Sequence, residues 1–127
     1  MSDLPARFGR ARTELAACRA LVTAGFPRQA VSRAYYGCFY AAEAALAELG
    51  IERRKHAGLI AAFGEHLVRS GLIDPRHGKA LQSLFAQRSA ADYGAPDPTT
   101  EDARLAIADA ERFVAAVDAW VAARRAG

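Results

Sequence analysis

An all-α fold, an up-and-down antiparallel bundle of about five helices, is what this sequence predicts, and three observations carry the prediction. Alanine supplies 31 of the 127 residues, whereas Val, Ile and Thr together supply 14. Alanine loses no side-chain entropy in a helix, and β-branched residues do. Apolar residues recur at alternating steps of four and three, the spacing of one helix face. Glycine, proline and capping residues then cut the chain into helix-sized lengths. The length fits one domain, residues 1–127, able to bury about two thirds of its unfolded surface without a metal or disulfide staple.

The first helix carries Leu4, Phe8, Ala11, Leu15, Cys18 and Val22 on its stripe, and Gly25 ends it. Pro27 sits where the first turn of the second helix tolerates proline. That helix carries Val31, Tyr35, Cys38, Ala42, Ala45 and Leu49 and stops at Gly50. A third, shorter helix spans about His56 to Ser70, with Ile60, Phe63 and Leu67 inward and Gly71 as its stop. The fourth opens at Asp74-Pro75, an N-cap followed by proline, and reaches about Tyr93. Residues 94–98, Gly-Ala-Pro-Asp-Pro, read as a loop. Thr99 and Asp102 form a capping box for the last helix, whose stripe is Ala103, Ile107, Ala110, Val114, Val117 and Val121.

Two places break the simple pattern. The second helix is apolar nearly all round. Arg33, Tyr36 and Tyr40 lie opposite its seam, and a small flank runs through Ala30, Gly37, Ala41 and Ala44. Such a helix is central or covered by a partner. The fourth helix places Arg88 on the stripe of Leu81, Leu84 and Ala91, with Asp92 four residues on and in reach of an ion pair. A half-buried arginine must be paired or stand at a cleft.

Charge and composition exclude several classes. The longest charge-free run is nine residues, 34–42, too short for a membrane helix. Asp3, Arg7, Arg10, Arg12 and Glu14 leave no signal-peptide core near the N-terminus. Cys18 and Cys38, 20 residues apart, read as reduced, buried residues of a cytoplasmic protein. The net charge of +3 is uneven: residues 1–56 hold nine basic and five acidic side chains, residues 94–127 four and six. Fifteen of the basic residues are arginines, whose planar fork suits phosphate and carboxylate. No metal-ligand spacing exists, and none of the chemistry requires a cofactor. Gly71…Gly78-Lys79 fails as a phosphate loop, because six residues separate the glycines and Ala80 follows the lysine. His66 and His77 read as exposed helix residues, and Lys55-His56 as a pair at a helix N-terminus.

The stretch Ser32-Arg33-Ala34-Tyr35-Tyr36-Gly37-Cys38-Phe39-Tyr40-Ala41 resembles the signature second helix of the HEPN superfamily. More narrowly, it is similar to that of the small stand-alone prokaryotic members encoded beside minimal nucleotidyltransferases. Lys55-His56-x-Gly58, Gly71-Leu72 and Arg88-x-x-x-Asp92-Tyr93 follow in that subfamily's order, so the resemblance covers about residues 9–118. It implies a two-fold dimer and a role in toxin–antitoxin modules, phage defence or RNA processing. Many members are metal-independent ribonucleases marked by an arginine followed, after four to six residues, by a histidine. Arg88 matches the arginine, but positions 93, 94 and 95 are Tyr, Gly and Ala. A tyrosine with its ordinary pKa near 10 is a poor base.

The expectation is therefore a homodimeric binding subunit partnered by a minimal nucleotidyltransferase. It would hold RNA or nucleotide in a cleft containing Arg88, Asp92 and Tyr93 and bordered by Arg33, Tyr36, Lys55 and His56. The alternative is a metal-independent ribonuclease using Arg88 with Tyr93 or His56.

Overall fold

The computed structural model describes residues 4–127, with side chains from Ala6 onward. Asp3 and the side chain of Leu4, both named above, lie outside the described residues. Five α-helices follow one another: α1 (Leu4–Thr23), α2 (Pro27–Glu48), α3 (His56–Phe63), α4 (Pro75–Asp92) and α5 (Thr100–Ala126). No strand occurs among the described residues, and no helix is long and apolar enough to cross a membrane.

The helix boundaries follow from local chemistry. Gly25 and Gly50 take φ of 91° and 76°, a region that side chains resist, so α1 and α2 turn off there. The Asp74 carboxylate accepts from the Arg76 backbone N–H at 2.9 Å and caps α4. At α5 the Thr99 hydroxyl accepts from the Asp102 N–H, and the Asp102 carboxylate accepts from the Thr99 N–H, each at 3.0 Å. Both caps are those expected from the sequence.

The third helix departs from expectation. It is α-helical only to Phe63 and continues as a π turn over Gly64–Val68, closed by Arg69 N–H donating to the Gly64 carbonyl at 2.9 Å. Leu59, Phe63 and Leu67 are all fully buried and spaced by four. A 3.6-residue turn drifts off that spacing, and a wider turn keeps the third residue facing the core. On the same segment Val68 packs so closely on α4 that a Cβ at Gly78 would lie 2.9 Å from its Cγ2.

α2 is the central element and touches α1, α3, α4 and α5. Its small flank is what lets α1 approach. A Cβ at Gly37 would stand 3.2 Å from Leu15 Cδ2 and 3.4 Å from the Ala11 carbonyl oxygen. Ala34, Ala41 and Ala44 are fully buried beside it. The seam and the small flank of α2 are thus covered within the chain, while Tyr36 and Tyr40 stay half-buried. The stripes read from the sequence reach the core, except that in α3 Leu59 is fully buried in place of the expected Ile60, which is only partly buried. Phe39, Phe113 and Ile73, which the stripes omit, join them. Cys18 and Cys38 are buried free thiols, and burial raises the pKa of both.

Candidate functional site

The charge-free stretch of α2 delivers four aromatic rings within six residues: Tyr35, Tyr36, Phe39 and Tyr40. α3 adds His56 at its first residue, and α4 adds Phe85 and Arg88 three residues apart on one face. These elements meet. The His56 ring lies parallel to Phe85, with centroids 5.7 Å apart and planes at 19°, and 4.9 Å from Phe39. Tyr35 is fully buried, and its hydroxyl is 2.7 Å from His56 Nδ1.

The protons in this pair can be placed. Burial raises the Tyr35 pKa well above the ordinary phenol value, although nearby Arg88 acts in the opposite direction. Burial first, and Arg88 second, hold His56 below the ordinary imidazole value of 6.5. Both groups are neutral at neutral pH. His56 is the only hydrogen-bond partner of the Tyr35 hydroxyl among the described residues. If Nδ1 donated, the phenol proton would be buried with no acceptor, at a cost of about 1–3 kcal/mol. Tyr35 therefore donates to Nδ1, and His56 carries its ring proton on Nε2.

Arg88 departs from the expected simple ion pair. Its side chain is 23% exposed, and Asp92, itself 57% exposed, is 3.9 Å away, at the limit of a salt bridge. The guanidinium carbon lies closer to aromatic faces than a surface pair would demand: 5.1 Å from the Tyr36 centroid and 5.8 Å from that of Tyr35. Arg33 approaches the same Tyr36 ring at 4.7 Å while gripping both carboxylate oxygens of Glu14 at 3.1 and 3.3 Å. Tyr36 is thus a half-buried ring served by two guanidiniums from different helices. Tyr40 continues the row, 6.3 Å from Tyr36, with Arg10 at 6.0 Å.

The structure brings Arg33, Tyr36, His56 and Arg88 together and leaves other candidates outside. Tyr93 is 89% exposed at the C-cap of α4 and touches none of the cluster's rings. Lys55 is exposed as the N-cap of α3, and its side chain makes no hydrogen bond or ion pair among the described residues. Asp92 reaches the cluster only through Arg88. Sequence reasoning missed Phe39 and Phe85 as the walls around His56; the i, i+3 step from Phe85 to Arg88 is the signal that points to the second. It also misread His77, which is half-buried with its ring edge toward Phe113 at 6.3 Å. Among the described residues, no group of three or more His, Cys, Asp or Glu could hold a metal ion.

The arrangement offers two fixed cations beside an aromatic face, which suits a phosphate next to a stacked base. The neutral imidazole adds one N–H donor. The family model for the HEPN domain matches residues 5–120. A Methanocaldococcus jannaschii protein named "putative toxin" is 38% identical over 104 residues, covering 82% of this chain and 78% of its own. A Gloeobacter violaceus protein named UPF0332 is 34% identical over 107 residues, covering 83% and 85%. A Thermotoga maritima protein of the same name is 34% identical over 90 residues, covering 70% and 68%.

Proposed function

The chain belongs to the HEPN domain family, and from that premise we propose that it is a toxin-type HEPN subunit that binds RNA or a nucleotide through Tyr36, Arg33, Arg88 and His56. It acts as a homodimer partnered by a minimal nucleotidyltransferase, as the resemblance of its motifs implies. The toxin-type reading is supported by two relatives from Methanocaldococcus jannaschii that carry the name "putative toxin". The observation that carries the binding role is the Arg88 guanidinium over the Tyr36 ring, beside an Arg33 that Glu14 already holds in place. A purely structural arginine would be satisfied by a close carboxylate, and among the described residues Arg88 has only a long one.

A ribonuclease reading draws on one observation, the proximity of His56 and Arg88, which both pack on Tyr35. The hydrogen bond from Tyr35 argues against it. To accept a proton from a ribose 2′-hydroxyl, His56 needs an unprotonated nitrogen facing the substrate. Its acceptor nitrogen is already occupied by the buried phenol, and Nε2 holds the proton. Binding is therefore the preferred function.

Fluorescence anisotropy with a labelled single-stranded oligoribonucleotide and with labelled AMP tests this, using wild type, Arg88→Met and Tyr36→Leu. Loss of binding in both variants at an unchanged melting temperature is expected. Unchanged binding in Arg88→Met overturns the proposal. RNA cleavage in chelator that disappears in His56→Gln would instead establish the ribonuclease.

A further inference from the structure

Beyond Tyr36 the aromatic row of α2 continues into a shallow recess of about 460 Å³, lined by Tyr40 and by Gly9, Arg10, Thr13 and Glu14 of α1. We propose that this recess is a second nucleotide subsite, which takes the base next to the one held at Tyr36 and prefers a base bearing an exocyclic amine. The subsite rests on the binding role of the Tyr36 cluster and gives a bound strand its next contact.

One ion pair makes the two places continuous. Arg33 Nη1 donates to both oxygens of Glu14, at 3.1 and 3.3 Å, while its guanidinium carbon lies 4.7 Å from the Tyr36 centroid. Tyr40 is half-buried, 6.3 Å from Tyr36 and tilted by 35°. Two neighbouring bases can then each meet a ring, as on the stacking platforms that hold single strands. The facing wall is bare because Gly9 carries no side chain: a Cβ there would meet nothing within 4 Å. Arg10 is exposed at the rim, its guanidinium carbon 6.0 Å from the Tyr40 centroid, where it can meet the linking phosphate.

The edge chemistry selects the base. The Thr13 hydroxyl donates to the Gly9 carbonyl at 3.0 Å, so its oxygen can only accept from a ligand. The Glu14 side chain is 15% exposed, and a carboxylate has about four lone-pair sites, of which Arg33 takes two. Both groups are acceptors. Cytosine brings its N4 amine to such an edge, whereas uracil places a carbonyl oxygen there, which the acceptors repel. The carboxylate likewise turns phosphate away from the inner end and toward Arg10.

Isothermal titration of the full chain with CMP and with the 5′-phosphorylated dinucleotides CpC and UpU tests this, the dinucleotides being equal in length and charge. Wild type should bind CpC about tenfold tighter than CMP, the gain from one more stacked base, and tighter than UpU. Gly9→Leu fills the recess with a good helix former, so it should return CpC to the affinity of CMP without lowering the melting temperature. Thr13→Val should narrow the preference for CpC over UpU. Arg69→Gln removes one charge on another face, beside Lys79 and Gln82, and should leave both ratios as in wild type. Equal affinity for CMP and CpC in wild type, or a gain that survives Gly9→Leu, overturns the second subsite while CMP binding still upholds the Tyr36 cluster. If wild type binds neither CMP nor the dinucleotides, the cluster itself fails and the subsite falls with it.

Discussion

At the residue scale, two side chains make predictions of different kinds. His56 has a folded pKa below its ordinary 6.5. The unfolded chain then binds more protons below that value, so stability is full above pH 6.5 and declines as the pH falls toward the folded pKa. His77 is shifted the same way by burial and adds to the slope. Melting temperatures between pH 7.5 and 5 should fall, and His56→Gln should reduce that fall without abolishing it; an unaltered profile would contradict the buried neutral imidazole. Arg88 is the second case. Since Asp92 is already more than half exposed, it reaches water once its partner is gone. Arg88→Met should therefore change stability by less than about 1 kcal/mol, measured by urea unfolding. A loss well beyond that would assign Arg88 to the fold rather than to a ligand.

At the element scale, the approach of α1 to α2 depends on which glycine faces the contact. A Cβ added at Gly9 on α1 would meet nothing within 4 Å, so Gly9→Ala should stabilise by about 0.5–1 kcal/mol through helix propensity alone. Gly37 on α2 faces Leu15 and the Ala11 carbonyl. Gly37→Val should cost about 1–3 kcal/mol by forcing the two helices apart. Chemical denaturation of the two variants reads this difference directly, and a shared sign would refute the close packing. The π turn after α3 belongs to this scale too. Its helix was legible from Ile60, Phe63 and Leu67, but that Leu59 rather than Ile60 faces inward, and that the four-residue spacing widens the turn, is decided only once α2 and α4 fix where the core lies.

At the scale of the whole molecule, the homodimer now rests on different ground. The apolar circumference of α2 suggested a partner, yet the chain's own α1, α3, α4 and α5 pack around that helix and leave chiefly the half-buried row of Arg33, Tyr36 and Tyr40 open. The larger exposed apolar side chains are instead Phe26, Leu72, Tyr93 and Leu105, on four separate segments. The dimer proposal therefore draws on the family resemblance alone. Light scattering should report about twice the 13.6 kDa chain mass at micromolar concentration. A monomer under those conditions would leave the Tyr36 cluster to act within one chain.

The sequence by itself determined the helices and, the π turn after α3 excepted, their ends. Helix propensity, the stripe along α5, the Thr99–Asp102 box and the Asp74 cap are local properties, set by residues a few positions apart. It also picked out Arg33, Tyr36, His56 and Arg88, because their residue types and order match a family motif. Only the tertiary structure decided which candidates meet. Tyr93, five residues from Arg88 in the chain, points into solvent, whereas His56, 32 positions away, shares the Tyr35 ring with it. Proton placement on His56 was equally out of reach of the sequence. Burial of the Tyr35 hydroxyl fixes it, and burial is produced by three helices packing at once.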